Sequence, residues 1–119
     1  MPKVLVVDDA LFMRTALSKM LEEWGLEVVA QAANGREAVA MYKKHSPDLV
    51  TMDLTMPIMS GLDALKLILQ DDPEAKIIMI TALGQQRIIV NALESGAKDF
   101  ITKPFQAENL KKVVYNVLK

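Results

Sequence analysis

The chain has 119 residues, 51% of them hydrophobic, with 14 basic and 15 acidic residues and a formal net charge of -1. That length and apolar content suffice for one domain with a real core, and the balanced charge excludes a global field that would draw nucleic acid or an anionic membrane. Cysteine is absent, which excludes disulfides and thiolate metal sites, and no apolar run approaches a membrane span, so a soluble, cytoplasmic protein is expected.

The first strand is predicted over Val4 to Val7, where four apolar residues run directly into Asp8 and Asp9. Helical spacing then places Met13, Leu17, Met20, Leu21 and Trp24 on one stripe, ended by Gly25. Glu27 to Ala32 is the second strand; its apolar run is the least continuous of the five, which points to a sheet edge. The second helix opens at Asn34, with Glu37 three residues on, carries Ala38, Val39 and Tyr42 inward, and stops before Pro47. His45, at its end, reads as solvated or helix-capping rather than catalytic.

Leu49 to Met52 is the third strand, and Ser60 with Asp63 starts a third helix that Pro73 closes. The fourth strand covers Ile77 to Ile80. The fourth helix, Gln85 to Ser95, is predicted to bury Ile88, Ile89, Ala92 and Leu93 and to exit at Gly96. Asp99 to Thr102 is the last strand, and the last helix buries Leu110, Val113, Val114, Val117 and Leu118. The eight methionines read as adaptable core filler, with Met56 and Met59, after Asp53, as candidates for a binding surface.

Five strands alternate with five helices, with no linker, repeat or low-complexity stretch, so residues 1-119 are read as a single domain. Most strands carry consecutive apolar residues, as strands covered on both faces do. Right-handed crossovers then give an α/β, doubly wound, three-layer sandwich around a parallel sheet. In such sheets ligands bind beyond the carboxyl ends of the strands. The residues at those ends are Asp8 and Asp9, Ala32, Asp53, Thr81 and Lys103.

Carboxylates gathered there would repel by about 4 kcal/mol per pair at 4 Å and an effective dielectric near 20. A hard divalent cation with oxygen ligands, Mg²⁺ above all, relieves that repulsion. Three acids, one divalent ion and the Lys103 ammonium leave a neutral cluster that can receive phosphoryl oxygens and offers Asp53 as a carboxylate nucleophile. The Thr81 hydroxyl can donate to an added phosphoryl oxygen. Taken singly, an Asp at a strand-to-helix junction is a helix cap, a Thr a loop residue and a Lys a solvated charge. Their joint placement favours the site.

"VVDD" ending the first strand, "MDLTMPIMSG" around Asp53, "ITA" at Thr81 and "DFITKPF" around Lys103 resemble the response-regulator receiver family over the whole chain, with its stand-alone chemotaxis members the nearest in pattern. The resemblance implies the flavodoxin-like (βα)5 arrangement with strand order 2-1-3-4-5. It makes Asp53 the phosphoacceptor and Asp9 a direct Mg²⁺ ligand, with Asp8 a ligand partly through water. Thr55 would add its backbone carbonyl. It also makes Lys103 the phosphoryl-binding ammonium, followed by a cis bond to Pro104, and Thr81 and Phe100 the switch pair. The alternative for Phe100 is an ordinary core residue. Thr55 and Leu83 occupy the two positions credited with tuning loss of the phosphoryl group.

The partners implied are a sensor histidine kinase that donates the phosphoryl group, and a flagellar motor switch protein or a phosphatase as target. Output would be by binding, the protein being a monomer with no direct nucleic-acid contact and no membrane insertion. A receiver domain of a longer transcription regulator is the alternative within the family. A flavin-binding protein on the same fold is disfavoured, because it would want donors, not two acids, after the first strand. A small aspartate-dependent phosphatase would want a second acid where Thr55 stands.

Overall fold

A computed structural model describes residues 1–82 and 84–119; Leu83, one of the two positions to which the resemblance assigns tuning, lies outside the described residues. The elements are β1 (Lys3–Val7), α1 (Leu11–Glu23), β2 (Glu27–Ala32), α2 (Gly35–His45), β3 (Leu49–Asp53), α3 (Gly61–Asp71), β4 (Ile77–Ala82), α4 (Gln86–Ser95), β5 (Asp99–Lys103) and α5 (Ala107–Leu118). The strands form one parallel sheet in the order β2-β1-β3-β4-β5. The expected strand order and the edge position of β2 are both present.

Continuous apolar strands follow from a sheet covered on both sides. Val4 and Val6 face one layer with Leu17 and Leu21 of α1 and Leu110 and Val114 of α5. Leu5 and Val7 face the other, with Ala38, Ala64, Leu65, Ile68, Ile89 and Ala92 of α2, α3 and α4. Alternate side chains of one strand thus serve two cores. Thr51, inside β3, is fully buried, and its hydroxyl has no hydrogen-bond partner among the described residues.

The helix ends follow local chemistry. Asn34 Oδ1 accepts from the Glu37 amide at 2.9 Å while Glu37 Oε1 accepts from the Ala33 amide at 2.8 Å. Ser60 Oγ accepts from the Asp63 amide at 3.1 Å. Gly25 and Gly96 take positive φ just past α1 and at the end of α4. His45 joins Lys43 and Lys44 in the last turn of α2, where positive charge suits the helix dipole.

Several expectations are corrected. In α4 only Ile89 and Ala92 are buried; Ile88 and Leu93 are each 38% exposed, because the apolar run Ile88 to Val90 spans more of the helix circumference than one sheet face can cover. In α5, Val113, Val117 and Leu118 are packed but only partly buried, around a centre of Leu110 and Val114. Met56 is buried and Met59 is partly buried against the same core, so both serve chiefly as core filler; Pro57 and Ile58 between them are exposed. The alternative reading of Phe100 as an ordinary core residue does not hold, since it is 38% exposed. The alternative of Asp8 or Asp9 as the cap of α1 does not hold either, since the N-cap is Ala10 with no side-chain bond.

Candidate functional site

Asp53, Thr81 and Lys103 stand at the carboxyl edge because their strands run one residue or more beyond the predicted stretch, whereas Asp8 and Asp9 directly follow the last residue of β1, Val7. β3 ends with Asp53, β4 includes Thr81 and Ala82, and β5 ends with Lys103. β1 and β3 are neighbours, so Asp8 and Asp53 leave adjacent strands. Carboxylate oxygens of Asp8, Asp9 and Asp53 lie within 4.8 Å of one another. Asp8 is 1% and Asp53 8% exposed, while Asp9 faces solvent.

Asp8 is held from three sides. Its Oδ1 accepts from the Ala10 amide at 2.9 Å, its Oδ2 accepts from Lys103 Nζ at 2.9 Å, and its backbone carbonyl accepts from Arg14 Nη1 at 2.7 Å. Lys103 Nζ also lies 3.6 Å from Asp53 Oδ2, so one ammonium serves two buried acids. The Lys103–Pro104 bond that follows is cis.

Three acids against one lysine leave Asp53 short of positive charge. Burial is the largest influence on it and, reinforced by Asp8 and Asp9, outweighs Lys103 and the Thr55 amide, so its pKa is pushed up from 3.8 to about 6. For Lys103 burial alone would favour the neutral amine, but the Asp8 hydrogen bond and the charges of Asp53 and Asp8 prevail and raise its pKa. An all-oxygen, excess-negative cluster fits a hard divalent cation: Asp8, Asp9 and Asp53 have the donor type and proximity to hold one.

The other half of the edge is neutral. Thr81 Oγ1 donates at 2.8 Å to Gln85 Oε1, with the Ala82 carbonyl a second acceptor at 3.1 Å. Gln85 Oε1 also accepts from the Ala82 amide at 3.1 Å, and Gln85 Nε2 donates to Thr55 Oγ1 at 2.7 Å. Beside these lies a mostly apolar cavity of about 320 Å³ lined by Thr81, Gln85, Ile89, Val90, Phe100 and Thr102.

The structure therefore brings Asp8, Asp9, Asp53 and Lys103 into one cluster, and places Thr81 and Phe100 together against the adjoining cavity. Sequence reasoning missed Gln85 and Arg14. Gln85 was legible only as the start of a helix, although a carboxamide four residues after a strand-end threonine can reach back to it. Arg14 lies at the margin of the α1 stripe, three residues before Leu17 and seven before Leu21, and nothing in that spacing announces the Asp8 carbonyl. Gly61 is a further requirement: a Cβ there would run into the Asp53 carbonyl, so the start of α3 packs directly on the strand end.

Comparison with known proteins agrees with this geometry. The Response regulator receiver domain profile matches residues 4–115. The chemotaxis protein CheY of Bacillus subtilis is 53% identical over 116 residues, covering 98% of this chain and 97% of that protein. The Thermotoga maritima CheY is 51% identical over 117 residues, covering 98% of each. Among solved structures, a chain of the CheX-CheY-BeF3-Mg+2 complex from Borrelia burgdorferi superimposes with a TM-score of 0.94 at 39% identity, covering 98% of this chain and 89% of that one. Five parallel strands in this order, with the acid cluster and lysine at their carboxyl ends, and near full-length kinship to these proteins place the chain in the response regulator receiver domain family, closely related to the CheY chemotaxis proteins.

Proposed function

We propose that residues 1-119 work as a single cytoplasmic receiver domain in which Asp53 accepts a phosphoryl group from a phosphohistidine of a sensor kinase. An Asp53 carboxylate oxygen attacks phosphorus, the phosphorus–nitrogen bond breaks, and the imidazole leaves with the electron pair and takes up a proton. The observation that carries this reading is a nearly buried carboxylate 3.6 Å from an ammonium and crowded by two further acids. It is poised to react within the cluster of carboxylates at the sheet edge.

Mg²⁺ held by Asp8, Asp9, Asp53 and the Thr55 carbonyl would offset the charge of the cluster and of the incoming phosphoryl oxygens. Lys103 supplies the fixed positive charge of the chain itself, and its bond to Asp8 keeps it aimed across the site. The Thr81 hydroxyl would turn to a phosphoryl oxygen. Phe100 would then fill the adjoining cavity, and the surface of α4, β5 and α5 would change for a partner. A bias of a few kcal/mol suffices for such a two-state element.

The kinship with CheY proteins supports a chemotaxis kinase as donor and a flagellar motor switch component or a phosphatase as target. That the Borrelia burgdorferi relative was solved with CheX, BeF3 and Mg+2 supports a loaded form recognised by a protein partner. The test is intact mass after incubation with acetyl phosphate, with and without Mg²⁺, for wild type and Asp53→Asn. A Mg²⁺-dependent phosphoryl adduct on wild type and none on the variant is expected. An adduct that survives loss of Asp53 in full, or none at all, overturns the reading.

A further inference from the structure

The role of Gln85 is not contained in the acid cluster, the lysine or the threonine. It is the N-cap residue of α4, yet its side chain makes no bond to that helix's own amides. The carboxamide is engaged elsewhere through both its heavy atoms: Oε1 accepts from the Thr81 hydroxyl and the Ala82 amide, and Nε2 donates to the Thr55 hydroxyl. The Ala82 N–H fixes the orientation, because a flipped amide would set donor against donor there. Thr55 lies two residues after Asp53 and Thr81 lies on the neighbouring strand, so one side chain ties the loop after β3 to the end of β4.

We propose that the Gln85 carboxamide is a positioning group that holds Thr81 in the resting arrangement and must release it before Thr81 can bind a phosphoryl oxygen. The inference rests on the reading of Asp53 given above. A hydroxyl has one proton, and while Gln85 Oε1 takes it at 2.8 Å no phosphoryl oxygen can. Gln85 immediately precedes α4 and lines the same cavity as Phe100. Release therefore frees, in one step, the hydroxyl, the start of α4 and a wall of the space the aromatic ring would enter. The strength of three neutral hydrogen bonds sets the ratio of resting to switched protein.

The test uses beryllofluoride with Mg²⁺ as the phosphoryl stand-in, its affinity for the full chain, and amide NMR of Thr81 and Phe100. Gln85→Ala removes the latch and is expected to bind about fivefold more tightly, the worth of one net neutral hydrogen bond. Its resting Thr81 and Phe100 signals should move along the line toward the loaded wild-type positions. Thr55→Val removes only the far anchor and should move both readouts the same way, by less. Gln85→Glu keeps the acceptor, adds a charge that grips Thr81 and repels the anion, and should bind more weakly than wild type. Merely disturbed packing would push Gln85→Ala and Gln85→Glu in the same direction, and that result overturns the latch. So does wild-type affinity in Gln85→Ala with unmoved resting signals. Failure of wild type itself to bind beryllofluoride defeats the parent reading instead, and the latch with it.

Discussion

The two halves of the carboxyl edge differ in kind. On one side Asp8, Asp53 and Lys103 form a largely buried ionic group at the ends of β1, β3 and β5, with Asp8 held from both its carboxylate oxygens and its carbonyl. On the other, Thr81, Gln85 and Thr55 share neutral hydrogen bonds next to a cavity and a partly exposed Phe100. Buried charge pairs are strong and costly to break, whereas a neutral bond contributes only about 1 kcal/mol net. The ionic half is built to stay and wait for a ligand; the neutral half is built to exchange one set of partners for another.

The largest break in that contrast is Lys103→Met. It leaves Asp8 buried without its cation and Asp53 without its nearest positive charge. Denaturant unfolding at pH 7 without Mg²⁺ should show a loss of about 2 to 3 kcal/mol, somewhat below a fully buried pair because the lysine keeps a quarter of its surface in water. Phosphoryl uptake from acetyl phosphate should fall on the order of 100-fold, as for loss of one fixed electrostatic contact.

Asp53→Asn should do the opposite to stability. The carboxyl is pushed up to about 6 in the folded state from 3.8 in the unfolded one, so between those values the folded state binds more protons and stability falls as pH rises. Above pH 6 the ionised group costs up to about 3 kcal/mol, with solvent screening reducing it, and removing the charge restores that amount. Urea titrations of both proteins without Mg²⁺ should converge below pH 4 and diverge by about 2 kcal/mol at pH 7. Equal stability at both pH values would contradict the crowded-charge description.

On the neutral side, Phe100→Ala should cost about 1 kcal/mol in the same assay, well under the 3 to 5 kcal/mol of a core phenylalanine, because the ring is 38% exposed. A core-sized loss would mean the ring is packed in the resting state and has nowhere to go. The smallest effect sharpens the baseline beneath both halves: Thr51→Val, replacing an unpartnered buried hydroxyl, should stabilise by about 1 kcal/mol.

The ionic half was legible in sequence because strand-end positions are set by apolar runs, and charged residues that interrupt such runs at corresponding places have few explanations. Asp8, Asp9, Asp53 and Lys103 all met that condition. The neutral half was only partly so. Thr81 follows from its strand, but Gln85 requires knowing which way a helix-start side chain turns, and carboxamides at helix starts are commonplace. Exposure along α4 was misjudged for a related reason. Ile88, Ile89 and Val90 are equally apolar, and only the packing of the helix on the sheet decides that Ile89 alone is buried.

The most direct measurement locates the phosphoryl group. Wild-type protein incubated with acetyl phosphate and Mg²⁺ is reduced with borohydride, which converts an aspartyl phosphate to homoserine, and then mapped by peptide mass spectrometry. Homoserine at position 53, absent without Mg²⁺, is the predicted result; homoserine at position 8 or 9, or none anywhere, contradicts it.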